Sequence, residues 1–150
     1  MGGRSAWSRS ECGGILARLG SVSALALLVT ACSDKPQAHT FTSQGTRIVA
    51  SVVQQEGQPA LQIRFRPREG VLIQSQPGIR IIPASPTVEW LQPMPHVHEA
   101  ETTYFAAPPV VILPFRGTEP IDLEVEYAYC SNGSQCFRTS TRIAVPQRRS

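Results

Sequence analysis

From Gly45 onward, apolar and polar positions alternate in short runs separated by Gly, Pro, Asn and Gln. A period of two is the mark of a half-buried strand, and no stretch after residue 32 holds the three-to-four spacing of an amphipathic helix. Strands are expected over Thr46–Val53, Leu61–Phe65, Val71–Ile73, Ile79–Ile82, Thr87–Leu91 and Val110–Phe115. The clearest pattern is the last. Ile121, Leu123, Val125, Tyr127 and Tyr129 alternate with Asp122, Glu124, Glu126 and Ala128, and Phe137, Thr139, Thr141, Ile143 and Val145 alternate with Arg138, Ser140, Arg142 and Ala144. Between them lies Cys130-Ser-Asn-Gly-Ser-Gln-Cys136, whose Asn-Gly step tolerates the positive φ of a hairpin turn. Setting Cys130 opposite Cys136 pairs Tyr129 with Phe137, Leu123 with Ile143 and Glu124 with Arg142. Apolar then meets apolar and acid meets base, which supports that register. About seven short strands predict an all-β, immunoglobulin-like β-sandwich, a single domain over 45–150.

Composition narrows the alternatives. The 150 residues include 13 prolines, each costly inside a helix, which disfavours a helical bundle. The formal charge is only +3, with no basic block, so nucleic acid is not an expected partner. Arg64, Arg66 and Arg68 alternate with apolar residues and read as the wet side of a strand.

The N-terminus is of a different kind. Arg4, Arg9 and Arg18 precede a short apolar stretch, Leu19–Val29, too short to span a bilayer. Charge, a brief apolar core and small residues before a cleavage point make a secretory signal peptide, assigned to 1–31. Leu28-Val-Thr-Ala-Cys32 resembles the lipobox of bacterial lipoproteins, in which the cysteine is diacylated and becomes the new N-terminus. Ordinary signal cleavage with an incidental Cys32 is the alternative. A lipid on Cys32 would anchor the chain to a membrane surface without a spanning helix. Ser33 stands where an inner-membrane retention signal would have Asp, which by the Gram-negative sorting rule favours the outer membrane. The polar, patternless residues 33–44 read as a tether. Cleavage removes Arg4, Arg9, Arg18 and Glu11 and leaves the mature chain nearly neutral.

Cleavage also removes Cys12, and lipid occupies Cys32, so Cys130 and Cys136 remain as a lone pair in an oxidising compartment. Their spacing allows two roles. A bond closing so short a loop adds little stability, which suits thiol–disulfide exchange. A permanent structural disulfide is the other reading, and spacing alone leaves both open.

Residues from Leu61 to Val145 resemble the N-terminal periplasmic domain of the DsbD thiol:disulfide interchange proteins. The likeness rests on Leu61-Gln-Ile-Arg-Phe-Arg-Pro-Arg-Glu-Gly70, Gly78-Ile-Arg-Ile-Ile-Pro83, Val111-Ile-Leu-Pro-Phe115 and, above all, Val125-Glu-Tyr-Ala-Tyr-Cys130 with Cys136-Phe137. Pro95-His-Val-His-Glu-Ala-Glu101 stands where that family has an acidic loop. The resemblance implies an immunoglobulin-like fold with Cys130 and Cys136 as the redox pair and no cofactor. It implies that a loop around Glu99 to Phe105 caps the pair, with Tyr104 or Phe105 over the disulfide and Glu99 or Glu101 near the thiols. A membrane electron donor and periplasmic thioredoxin-like clients would be the partners, serving a monomeric relay domain. The chain departs from the family in having Arg138-Thr139 where prolines follow the second cysteine, and in carrying neither a membrane-embedded nor a thioredoxin-like domain.

A rival chemistry sits in Met94-Pro-His96-Val-His98. Thioether and imidazole suit copper, and His96 and His98 would share one side of an extended segment. An exported copper-binding lipoprotein is therefore an alternative, beside a polar loop with two ordinary histidines. A third possibility is a non-catalytic assembly module stapled by its disulfide. No serine–histidine–acid set or phosphate loop is readable.

Overall fold

The computed structural model describes residues 37–86, 88–117 and 120–146. Residues 1–31, read as a signal peptide, and Cys32 lie outside the described residues. So does the C-terminus after residue 146. Within them the chain is all-β. Its strands are β1 (Ala38–Ser43), β2 (Thr46–Gln55), β3 (Gln58–Pro67), β4 (Val71–Ile73), β5 (Ile79–Pro83), β6 (Glu89–Trp90), β7 (His96–Val97), β8 (Val110–Arg116), β9 (Ile121–Ser131) and β10 (Gln135–Val145). One sheet runs β1-β2-β3-β8-β6 and the other β10-β9-β5-β7, with β4 paired to the far end of β9. All pairings are antiparallel. This is the immunoglobulin-like β-sandwich that the alternation predicts.

The two sheets bury the residues that the period of two points inward. Ile48, Leu61, Ile63, Phe65, Leu113 and Phe115 come from one sheet. Ile79, Leu123, Val125, Tyr127 and Ile143 meet them from the other. Each fully buried aliphatic side chain contributes roughly 1.5–3 kcal/mol, so this layer holds the sheets together. Phe65 and Tyr127 meet edge to face across it, ring centres 5.6 Å apart. Arg64, Arg66 and Arg68 are exposed, on the wet side as expected.

The segment read as a tether needs correction over Ala38–Ser43, which is strand β1, paired along its whole length with β2. Its turn, Gln44-Gly45, has φ of 47° and 78°, a two-residue turn matched to strand twist. The strand is anchored from the opposite sheet as well. Tyr127 Oη donates to the Ser43 carbonyl at 3.0 Å, and Tyr129 Oη donates to Gln44 Oε1 at 3.3 Å. The domain therefore begins ahead of residue 45.

Candidate functional site

The β9–β10 register is the predicted one: Cys130 faces Cys136, Tyr129 faces Phe137, Leu123 faces Ile143 and Glu124 faces Arg142. One expectation within it changes. The Arg142 guanidinium reaches diagonally to Asp122, and Glu124 instead accepts from Ser140 Oγ. Strand twist brings diagonal neighbours within reach of a long side chain, so backbone opposition does not decide the ion pair.

At the tip, Cys130 and Cys136 form a disulfide, with sulfurs 2.03 Å apart and Cα atoms 4.0 Å apart. The two halves of the bond differ. Cys130 is completely buried, whereas Cys136 is exposed. The cause is position in the sheet. Cys136 sits on the edge strand β10, while Cys130 sits between β10 and β4, where Leu72 is its partner. Of the two bonded residues, Cys136 is therefore the one that faces solvent.

The backbone holds this tip without the disulfide. Asn132 N donates to the Gly70 carbonyl at 2.8 Å, tying the turn to the β3–β4 connection. Val71 and Ile73 pair with Ser131 and Tyr129. Gly70 is required there: its φ is +77°, and a Cβ would stand 2.8 Å from Asn132 Oδ1. The surface around the bond is partly apolar. Leu72 is 44% exposed and Phe137 49%. The Phe137 ring lies over Tyr129 on the other face, centres 5.6 Å apart.

The expected cap lies beside β4. Ser75 N donates to the Thr103 carbonyl at 3.0 Å, and Phe105 N to the Ile73 carbonyl at 3.1 Å. Gln74 and Tyr104 are bridged, which sets Tyr104 on the face shared by Gln74, Leu72 and the cysteines. Phe105 packs against the core instead, so of the two aromatics only Tyr104 is on the disulfide's face. Glu99 serves its own loop: its Oε2 accepts from Thr102 Oγ1 at 3.0 Å and from Ala106 N at 3.2 Å. Glu101 is exposed.

Met94 packs against the core, while His96 and His98 stack loosely, ring centres 5.4 Å apart. His96 Nε2 is bonded to the Pro77 carbonyl and His98 Nδ1 lies 3.2 Å from the His96 carbonyl. Among the described residues no three His, Cys, Asp or Glu side chains gather as metal ligands would.

Sequence reasoning missed a groove of about 500 Å³ on the outer face of the second sheet. Ala128 lies in its floor, with Arg80, His96, Glu126 and Arg138 around it. A signal for it was present. The outward series on β9 passes from Asp122, Glu124 and Glu126 to Ala128 and Cys130, from charged to small and buried, toward the tip.

Against known proteins, no family model matches the chain, and no curated protein matches it either.

Proposed function

We propose that the domain exchanges disulfides with exported protein partners through Cys130 and Cys136. The observation that carries this reading is the asymmetry of the bond: one cysteine exposed, the other completely buried, on a hairpin tip already held by backbone hydrogen bonds. A staple would be placed where the backbone lacks support.

The exchange follows from that asymmetry. A partner thiolate attacks the Cys136 sulfur, the Cys130–Cys136 bond breaks, and Cys130 leaves with the electron pair and takes a proton. The partner is then joined to Cys136. The partner's second thiolate attacks its own bonded sulfur, releases Cys136 as a thiolate and departs as a disulfide. Two electrons have moved to the domain. In the second half, Cys136 attacks a client disulfide and Cys130 resolves the mixed intermediate, returning the domain to its oxidised form. Only the two cysteines take part, and no cofactor is needed.

In this reading the chain is a relative of the DsbD N-terminal domain, lipidated at Cys32 and facing the periplasm, with the outer membrane favoured. A membrane reductant supplies electrons and thioredoxin-fold proteins receive them. Tyr104, on the disulfide's face, is the candidate shield.

The test is the reduction potential of the Cys130–Cys136 couple. Exchange requires a value above about −300 mV, within the span of known exchange proteins. A lower value makes the bond a permanent staple.

A further inference from the structure

The groove beside the disulfide has a charge pattern that the exchange chemistry does not use. Resting on the exchange reading, we infer that it is a carboxylate-recognition site, selecting protein partners that carry an acidic side chain two residues from the reactive cysteine.

The outer face of the second sheet accounts for most of its charges internally. Arg142 is paired with Asp122, Arg80 lies 3.6 Å from Glu126, and Glu124 accepts from Ser140. Arg138 is different. It is exposed, sits opposite Ala128, and among the described residues has no carboxylate within salt-bridge distance. It is also the next outward-facing residue after Cys136 on β10. Two strand residues span roughly 7 Å, so its row follows directly on the row of the sulfurs.

The groove starts at that row. Ala128 gives it a floor without a polar group, and Arg138 and Arg80 stand on either side of it with a single acid, Glu126, between. Its volume of about 500 Å³ takes one or two side chains. An extended segment bonded to Cys136 and running along the sheet would place its side chain two residues on above Ala128. A carboxylate there meets Arg138 first, with the Arg80–Glu126 pair able to open toward it because both ends are solvent-exposed. An amide or an ammonium in the same place gains nothing or is repelled. An arginine fork matches a carboxylate geometrically as well as in charge.

The experiment compares short peptide thiols with Glu two residues before or after Cys against their Gln counterparts, as reductants of the oxidised domain at low ionic strength. The expected result is a two- to fivefold faster reduction by at least one Glu peptide, the size of an exposed ion pair, shrinking as salt is added. Arg138→Ala should bring the Glu-to-Gln ratio to about one and Arg138→Lys should restore part of it, while Arg64→Ala, on the other sheet, should leave it unchanged. Equal rates for Glu and Gln peptides with the unaltered domain would overturn the carboxylate site and leave the exchange reading standing. If no peptide thiol reduces the bond, the exchange reading fails. The site is then judged by titrating the oxidised domain with the same peptides carrying Ser for Cys. Saturable amide shifts at Ala128 and Arg138 with the Glu peptide alone uphold it, and their absence overturns it.

Discussion

Two long hairpins, β2–β3 and β9–β10, share a sheet sandwich, a similar length and a turn built on a left-handed pair. Glu56-Gly57 has φ of 52° and 78°, and Asn132-Gly133 has 50° and 73°. Their tips are nevertheless unlike. The β2–β3 tip is a bare overhang, exposed from Gln54 through Gln58. At the other, burial continues through Tyr129 and Cys130 almost to the turn, because β4 and Gly70 are hydrogen-bonded against it. The bare hairpin keeps its register with no cross-link. The supported hairpin has the cross-link. Covalent bonding is thus found where the fold needs it least, which is the reason to look for chemistry in it.

That comparison can be broken at several points. The largest effect is expected from burial at the two tips. Tyr129→Ala removes an aromatic ring packed against both Tyr127 and Phe137 and should cost about 3–5 kcal/mol, whereas Val53→Ala at the bare tip should cost about 1 kcal/mol or less. Urea denaturation of the two variants measures both. Similar losses would mean the supported tip is not held by packing.

The disulfide comes next. Reduction should lower stability by about 2 kcal/mol, the loop-entropy value for so small a ring. Backbone amides of Gln74 and Asn132 should keep their hydrogen-exchange protection in the reduced protein, since they bond the Ala128 and Gly70 carbonyls and not the cysteines. Loss of protection there would make the bond a staple after all.

The glycines sharpen the contrast further. Gly57→Ala meets no atom within 4 Å and pays only for its left-handed backbone, about 1 kcal/mol. Gly70→Ala has the same backbone cost, and its methyl also has to displace the Asn132 side-chain amide, whose Oδ1 would stand 2.8 Å away. Only Gly70→Ala should change the rate at which an added thiol reduces the Cys130–Cys136 bond.

How far the sequence disclosed these features depended on how local their causes are. The β9–β10 register was legible because the Tyr129–Phe137, Leu123–Ile143 and Cys130–Cys136 pairs all agree on one alignment. Strand β1 was not. His39, Phe41 and Ser43 form a thin inward pattern, and the strand exists because β2 and the Tyr127 hydroxyl hold it. β7 is two residues long and pairs with β5 across a connection that no periodicity can report. For the site, the paired cysteines were readable, but their unequal exposure was not, because the cover on Cys130 comes from the position of β4. The groove depends on residues from β5, β7, β9 and β10 meeting, a fact of topology rather than of spacing.

The smallest expected effect is the dependence of stability on pH. A hydrogen bond from Arg142 holds the Asp122 carboxyl below its ordinary value of 3.8, with the guanidinium's charge adding to it against a small burial cost. The unfolded chain then binds the proton more readily than the folded one, so this stabilisation is present above the ordinary carboxylate value and fades as the pH falls below it. Burial pushes the Tyr127 phenol up from 10.0. Here the unfolded chain loses its proton first, so stability declines once the pH climbs past 10. Urea midpoints across pH should show a shallower acid limb for Asp122→Asn and a shallower alkaline limb for Tyr127→Phe. Asp122 pairs with Ala144 at the opposite end of the hairpin from Cys130 and Cys136. Its acid limb should therefore be the same in oxidised and reduced protein. An acid limb that moved with the redox state would mean that strain or motion at the tip travels the length of β9, and that the disulfide does more for the fold than the supported tip requires.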